Sequence, residues 1–243
     1  MRAILAALLL TLMANATAAA TCRDATFEGD RFTLCSATAD QDLRLFLTGP
    51  DGTPYGGFAA VNSALAAQGQ TLTFAMNAGM YQPDLSPVGL YIEDGTQRAR
   101  LITTDGPGNF GLLPNGVFCI SDRFAVIETR VFAATKPTCR YASQSGPMLV
   151  IAGREHPRFL PSSDSLHFRN GVGVSADGMT ATFVISDTRV NFDRFARFFR
   201  DVLHTPDALY FDGSISRLYA PDLNRDDLGF AIGPIVGLVS PKP

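Results

Sequence analysis

Residues 207–216 read Asp-Ala-Leu-Tyr-Phe-Asp-Gly-Ser-Ile-Ser. The apolar run from Ala208 to Phe211 is typical of a buried strand, and it ends abruptly at Asp212-Gly213-Ser214. Gly213 permits a tight turn there, so the strand brings a carboxylate and hydroxyl groups to the edge of a sheet. Open sheets tend to bind ligands at such strand ends. The stretch therefore predicts a sheet-based fold with a site at residue 212.

Four other clusters combine polar residues with glycine in the same way. They are Asn77-Ala78-Gly79, Asn115-Gly116, Gln144-Ser145-Gly146 and Arg169-Asn170-Gly171. Five such clusters at predicted strand ends indicate that distant loops converge on one composite site.

The remaining pattern combines many short strands with few helices. Several strands join through tight turns as hairpins, which argues against an all-parallel sheet. The clearest helix covers residues 192–203, where Phe192, Phe195, Ala196 and Phe199 recur at helical spacing and Val202 or Leu203 continues the stripe. Asn191 is placed to cap its start. We predict an α+β fold, a single domain of mixed, largely antiparallel sheets with a few packed helices.

The first 20 residues predict a signal peptide. Arg2 supplies the positive end, residues 3–13 are apolar, and Ala18-Ala19-Ala20 gives a small-residue cleavage pattern. Cys22 raises the alternative of a lipoprotein signal, but Thr21 before it fits a lipidation site poorly. We expect a periplasmic or secreted domain over residues 21–243, with no transmembrane segment in the mature chain.

All four cysteines, Cys22, Cys35, Cys119 and Cys139, follow the predicted signal peptide. In an oxidising compartment an even number of cysteines predicts two disulfides. Three pairings are open from sequence, and proximity favours Cys22–Cys35 with Cys119–Cys139. A zinc site is the alternative, but no CxxC pair occurs and the three histidines are far from the cysteines in sequence.

The charge and the motifs narrow the function classes. A net charge of −3 argues against nucleic-acid binding, which needs a concentrated basic surface. The chain also lacks the P-loop, GxSxG and HExxH signatures.

Asp212 is the first candidate for a catalytic carboxylate, as nucleophile or base. The alternative is that Asp-Gly is simply a common turn pair. Ser214 and Ser216 alternate beside it on an extended segment, so both share one face. Asp187, which follows another apolar run, is a candidate second carboxylate or metal ligand, or the cap of a turn before the helix.

Arg169 precedes two glycines, so its guanidinium could approach an anion closely and bind it through two hydrogen bonds. A surface salt bridge is the alternative. Asn77 and Gln144 offer the donors and acceptors that sugar hydroxyls require, although both could instead serve turns or backbone.

Seven segments in consistent order carry a resemblance to a known family. They are Met76-Asn77-Ala78-Gly79-Met80, Ser86-Pro87-Val88-Gly89-Leu90-Tyr91, Gly108-Asn109-Phe110, Pro114-Asn115-Gly116-Val117-Phe118, Gln144-Ser145-Gly146-Pro147-Met148-Leu149, Arg169-Asn170-Gly171-Val172-Gly173 and Leu209-Tyr210-Phe211-Asp212-Gly213-Ser214. From about residue 40 onward the chain resembles the phosphodiester glycosidase family.

This resemblance implies cleavage of the bond between a sugar's anomeric carbon and a phosphodiester. We expect Asp212 and Asp187 as catalytic carboxylates and Arg169 as a phosphate clamp. The expected substrate-binding residues are Asn77, Gly79, Asn115, Gln144, Ser145, Arg169, Asn170, Gly213, Ser214 and Ser216.

The expected partner is a phosphorylated sugar or a cell-envelope glycan. No cofactor is predicted with certainty, although a divalent cation is a candidate. Two other functions stay open: a non-catalytic periplasmic glycan-binding or envelope-assembly protein, and a metal-dependent phosphodiesterase using Asp187, Asp212 and Asn77.

Overall fold

A computed structural model describes residues 22–213 and 215–242. The predicted signal peptide and Ser214 therefore lie outside the described residues. Of the described residues, 42% are in strands and 14% in helices, which confirms the predicted α+β class with strands dominant.

The strands and helices run in chain order as β1 (Cys22–Phe27), β2 (Asp30–Thr38), β3 (Asp42–Phe46), α1 (Phe58–Ala66), β4 (Gln70–Asn77), β5 (Tyr91–Glu93), β6 (Thr96–Ala99), β7 (Gly116–Ile120), β8 (Phe124–Glu128), α2 (Thr129–Thr135), β9 (Tyr141–Ser145), β10 (Met148–Ile151), β11 (Arg154–Glu155), β12 (Asn170–Val174), β13 (Thr180–Ser186), α3 (Phe192–Arg197), β14 (Asp207–Asp212), β15 (Leu218–Ala220), β16 (Arg225–Asp226) and β17 (Ile235–Pro241). A π-helical segment, Phe198–Val202, continues α3, and a 3-10 turn covers Pro221–Leu223.

These strands form three sheets. The large sheet has the order β1-β2-β13-β12-β14-β10-β11, the second sheet β16-β15-β4-β17-β3, and the third sheet β6-β5-β9-β7-β8. Every pairing between the named strands is antiparallel. Neighbouring strands are often distant in sequence, so loops from the whole chain meet at the sheet ends.

A shared hydrophobic core joins the three sheets. Phe183 of the large sheet lies 5.5 Å from Phe74 of the second sheet and 5.7 Å from Phe118 of the third, measured between ring centroids. Phe118 also packs against Phe211, at 6.3 Å. Burying one such ring stabilises the fold by roughly 1.5–3 kcal/mol, so this cluster fixes how the sheets meet.

Each sheet carries a helix on its outer face. Helix α1 covers the second sheet through Phe58, Val61 and Leu65, and α2 covers the third through Phe132. Helix α3 and the π-helical segment cover the large sheet through Phe195, Ala196, Phe198 and Phe199. Apolar residues at helical spacing produce these one-sided contacts.

The predicted helix over residues 192–203 is confirmed at its start and changes partway. The Asn191 side chain accepts a hydrogen bond from the Arg194 N–H at 2.9 Å, as a cap does. After Arg197 the helix widens to π geometry, which fits an extra residue into the turn. The stripe continues at partly buried Leu203, whereas Val202 is 39% exposed.

Two disulfides form, in the pairing that proximity favoured. Cys22–Cys35 joins directly opposed residues of β1 and β2, and Cys119–Cys139 closes a separation of 20 residues. Because both pairs are oxidised, these cysteines are not free to bind zinc. Among the described residues, no helix has the length and hydrophobicity to cross a membrane.

Candidate active site

Strand β14 carries one extra residue just before Asp212. Asn170 of β12 lies opposite Asp212, while Gly171 lies opposite Tyr210, so Phe211 is the inserted residue. In a regular strand Asp212 would share a face with Tyr210, which packs toward α3. The bulge instead turns Asp212 to the face of Asn170, toward the junction of the sheets.

Asp212 lies at the wall of a cleft of about 610 Å³. The cleft is lined by Met80, Tyr81, Gln82, Pro83, Val88, Pro107, Gly108, Asn109, Phe110, Asp212 and Ile215. A larger groove of about 860 Å³ lies elsewhere, lined by residues 39–43, 94–95, 120–122, 124 and 138–140. None of the predicted site residues lines that groove, so we place the candidate active site in the smaller cleft.

The Asp212 carboxylate is held in place by its own turn. The side chain of this residue is nearly buried, with 8% of the residue exposed. Oδ1 accepts a hydrogen bond from the Gly213 N–H at 2.6 Å, and the Ser216 hydroxyl donates to the Asp212 carbonyl at 3.1 Å. A carboxylate fixed in this way is oriented before any substrate arrives.

A buried pair of asparagines supports this turn from below. Asn170 Nδ2 donates to both oxygens of Asn77, its side-chain Oδ1 at 2.6 Å and its carbonyl at 3.1 Å. Asn170 Oδ1 accepts from the Asp212 N–H at 2.9 Å. Asn77 donates to the Ile215 carbonyl at 2.9 Å and accepts from the Arg217 N–H at 3.1 Å.

With the 3.4 Å contact from Asn77 Nδ2 to Asn170 Oδ1, each amide uses its two donors and two acceptor positions within the protein. Both residues are fully buried. The structure therefore brings Asn77 and Asn170 to the site as the support of the Asp212 turn, with no side-chain position left over for a sugar.

Gln144 has an equivalent role on the other side of the cleft. Its Oε1 accepts from the Leu90 and Ile102 N–H groups, both at 3.0 Å. Its Nε2 donates to the Ile102 carbonyl at 2.6 Å and to Thr129 Oγ1 at 3.1 Å. Gln144 thus anchors the chain before residues 107–110, which line the cleft.

Three further predicted residues also serve the framework. Asn115 Nδ2 donates to the Phe110 carbonyl at 2.9 Å, and Ser145 Oγ donates to the Phe211 carbonyl at 2.9 Å. Gly79 has a φ of +153°, and a Cβ there would lie 2.8 Å from Ser143 Oγ. These contacts explain why small or amide residues occupy the positions.

Arg169 is fully buried and does not line the cleft. Nε donates to the Val190 carbonyl at 2.8 Å and Nη2 to the Ser165 carbonyl at 2.9 Å, while the guanidinium carbon lies 3.7 Å from the centre of the Phe192 ring. Nη1 has no hydrogen-bond partner among the described residues. Burial lowers the pKa of Arg169, and Tyr210 opposes that shift.

Tyr210 connects this buried cation to the cleft. The side chains of Arg169 and Asn109 both interact with its hydroxyl, and Asn109 lines the cleft. Burial raises the pKa of Tyr210 far above its usual value, the Asp212 charge adds to the rise, and Arg169 opposes it. The Tyr210 hydroxyl therefore stays protonated and can act as a donor.

Tyr81 and Asn109 line the cleft but were not among the predicted site residues. Burial raises the pKa of Tyr81 to about 12, with a further contribution from the nearby Asp212 charge. Both residues lie in or beside the seven segments that resemble the family. Tyr81 directly follows the segment that ends at Met80, and Asn109 lies inside Gly108-Asn109-Phe110. Neither residue belongs to the five polar-glycine clusters that predicted the site.

Asp187 is placed in a different groove, of about 410 Å³, together with Thr33 and Arg225. Its Oδ1 accepts from Arg225 Nη1 at 2.7 Å and its Oδ2 from the Thr33 hydroxyl at 2.7 Å. The structure thus does not bring Asp187 to the cleft that Asp212 lines. Within the described residues, no group of three or more His, Cys, Asp or Glu side chains is arranged to hold a metal ion.

Comparison with known proteins identifies the family of this chain. A sequence model of the phosphodiester glycosidase family matches residues 70–231. The chain is 35% identical over 219 residues to the YigE protein of Escherichia coli K12, a match that spans 90% of this chain and 84% of YigE.

Two solved structures have a similar fold. One is the catalytic domain of zebrafish N-acetylglucosamine-1-phosphodiester alpha-N-acetylglucosaminidase, auto-inhibited by its pro-peptide, with a TM-score of 0.61 and 13% identity over 90% of this chain and 81% of that one. The other, from Burkholderia pseudomallei K96243 and described in its name as exported, has a TM-score of 0.53 and 11% identity over 86% of this chain and 74% of that one. With the family match over most of the described residues and the YigE identity, the chain belongs to the phosphodiester glycosidase family.

Proposed function

We propose that this protein is an exported glycosidase that hydrolyses the anomeric bond of a glycosyl-1-phosphodiester, with Asp212 as its catalytic carboxylate. The observation that carries this proposal is the position of Asp212. Among the described residues that line the cleft it is the one carboxylate. A bulge and three hydrogen bonds between side-chain and backbone groups fix it there.

The chemistry of the leaving group fits a site with one carboxylate. A phosphate monoester leaves as a stabilised anion, so it needs less help from a general acid than a sugar alkoxide does. Asp212 would take a proton from water while the water oxygen bonds to the anomeric carbon. The bond from that carbon to the phosphate oxygen would break, and its electron pair would leave with the phosphate.

We favour this single displacement over a covalent intermediate. A glycosyl-enzyme would need another base to activate water in its second step, and the described lining residues include no second carboxylate and no histidine. The prediction is inversion at the anomeric carbon, which NMR of the freshly formed sugar would detect. Retention would instead support Asp212 as nucleophile.

Arg169 enters the proposal through Tyr210. Its Nε and Nη2 donate to backbone carbonyls and the side chain is fully buried, which favours an electrostatic contribution from the interior over direct contact with phosphate. Positive charge in a low-dielectric interior stabilises negative charge on a departing phosphate. The Tyr210 hydroxyl and Asn109 would transmit this polarisation to the ligand.

The test is turnover of synthetic diesters in which methanol or a phenol is joined to a sugar 1-phosphate. N-acetylglucosamine is the first sugar to try, because the name of the zebrafish protein specifies it. Asp212→Asn should lower kcat/KM by at least roughly 10²–10⁴-fold, the range of general base catalysis. The matched variant Asp187→Asn should stay within a fewfold of the wild type.

Full activity of Asp212→Asn would overturn the assignment. If the protein binds a panel of sugar phosphodiesters but hydrolyses none of them, the result would support the glycan-binding alternative. Loss of activity with a chelator would support the metal-dependent alternative.

A further inference from the structure

The cleft beside Asp212 is apolar over most of its wall. Six of its lining residues have hydrocarbon or thioether side chains: Met80, Pro83, Val88, Pro107, Phe110 and Ile215. The described lining residues include no lysine and no arginine. A second sugar in this region would bury hydroxyl groups without partners, which is unfavourable, whereas a hydrocarbon chain would be favoured.

A neighbouring loop presents two exposed apolar side chains. Leu228 is 91% exposed and Phe230 is 81% exposed, between β16 and β17. Large apolar side chains that are exposed together on one loop form a patch of the kind that contacts a protein or a membrane.

This loop is fixed to the cleft wall. The Tyr81 hydroxyl donates to the Ala231 carbonyl at 3.0 Å. Arg217, which follows the Asp212 turn, donates to the Phe230 carbonyl at 3.0 Å and to the Asp227 carbonyl at 2.8 Å. The exposed side chains are therefore held beside the entrance that Tyr81 lines.

We propose that the phosphate of the substrate carries a long hydrocarbon alcohol, and that the enzyme takes this glycosyl phospholipid from a membrane surface. The inference rests on the proposed function, which requires some second substituent on the phosphate. One ligand then explains both features: its chain lies along the apolar wall, and Leu228 and Phe230 contact the lipid surface from which it comes. Large apolar side chains serve this purpose in proteins that bind at membrane interfaces.

The first experiment varies only the chain. Diesters of one sugar 1-phosphate with methyl, butyl, octyl and dodecyl alcohols are compared below their critical micelle concentrations. Burial of a methylene is worth up to about fourfold in affinity, so KM should fall at least tenfold from methyl to octyl while kcat changes little. A KM that does not depend on chain length would overturn the inference and leave the proposed function intact.

The second experiment needs no turnover. Calorimetry compares the binding of dodecyl phosphate and ethyl phosphate, and dodecyl phosphate should bind at least tenfold more tightly. If no diester is hydrolysed, the proposed function fails, and this comparison still decides whether the cleft takes a hydrocarbon chain. Equal affinities would overturn the inference.

The third experiment tests the loop that carries Leu228 and Phe230. It uses vesicles of neutral phospholipid that contain the dodecyl diester. Leu228→Ser combined with Phe230→Ser should lower the rate on vesicles at least tenfold more than the rate on the soluble methyl diester. Leu160→Ser removes a 64% exposed leucine from a different loop and is the matched control. If the rate falls equally on both substrates, or falls as much in the control variant, a membrane contact by Leu228 and Phe230 is contradicted.

Discussion

The hydroxyl of Tyr210 occupies the space where a side chain on Gly213 would begin. A Cβ built on Gly213 would lie 2.0 Å from the Tyr210 oxygen. Glycine at position 213 therefore lets the strand end close over the hydroxyl that links Arg169 to Asn109. At the scale of single residues, the site depends on this fit as much as on the Asp212 carboxylate.

Gly213→Ala should lower the free energy of unfolding by about 1–3 kcal/mol, the usual range for overpacking. Tyr210→Phe removes the oxygen, so the double variant should be less destabilised than the sum of the two single changes. Unfolding in urea measures all three variants. Gly106→Ala, where an added Cβ meets nothing within 4 Å, is the control. If the two single destabilisations add up to that of the double variant, the Tyr210 hydroxyl is not what opposes a side chain at position 213.

At the scale of elements, the site is a junction between sheets. The Asn77–Asn170 pair joins the end of β4 in the second sheet to the start of β12 in the large sheet. The same amides hold the backbone of Asp212, Ile215 and Arg217. No strand pairing among the described residues links these two sheets, so the amide pair fixes the position of the Asp212 turn.

Asn170→Ala should both destabilise the protein and reduce its activity. The change leaves the Asp212 N–H and part of the Asn77 amide buried without partners, at a cost of about 1–3 kcal/mol for each group. Urea unfolding and kcat measured on the methyl diester are the readouts, with exposed Gln68→Ala as the control. Wild-type stability would contradict the role of the pair.

The disulfide Cys119–Cys139 ties the end of β7 to the chain before β9. Replacing both cysteines by serine should lower the free energy of unfolding by about 3 kcal/mol, because a loop of this length is then unconstrained in the unfolded chain. Urea unfolding of the double variant measures this, with the Cys22–Cys35 disulfide left intact as an internal reference. A change below about 1 kcal/mol would contradict the expectation.

At the scale of the whole molecule, a charged cluster fastens the first hairpin and β11 to α3. Arg194 pairs with Asp30 at 2.7 Å, and Arg197 pairs with Asp193 at 3.0 Å. Glu155 of β11 lies beside Asp193 and accepts from Arg200 at 3.1 Å. Burial raises the pKa of Glu155 to about 7, and the neighbouring Asp193 charge adds to the rise.

This raised pKa makes stability depend on pH. Between the ordinary value of 4.5 and about 7, the unfolded chain has released the Glu155 proton while the folded chain still holds it. The contribution of Glu155 to the free energy of unfolding is therefore fully present below pH 4.5 and is lost as the pH rises toward 7. Glu155→Gln should flatten that decline in urea unfolding, whereas Asp122→Asn, in an exposed turn, should not. If the free energy of unfolding falls equally steeply with pH in the wild type and in Glu155→Gln, this role of Glu155 is refuted.

The choice of site residues shows what local patterns predict. The sequence identified the loops correctly as neighbours, since Asn77, Asn115, Gln144, Asn170 and Asp212 all lie around one cleft or its support. Whether an amide faces a ligand or the backbone depends on partners 42 to 138 residues away, as the bonds of Asn77 and Gln144 illustrate. Their roles as substrate ligands stay predictions, and the geometry gives them a supporting task.

The sequence by itself determined the α+β class, the capped start of α3 and the family, because periodicity, caps and ordered motifs are local properties of the chain. It left three disulfide pairings open, and the structure decided among them. The tertiary structure decided the bulge at Phe211 that turns Asp212 toward the cleft, the separation of Asp187 from that cleft, and the burial of Arg169. These depend on the register between strands that are far apart in sequence, and one inserted residue reverses the face of every side chain that follows.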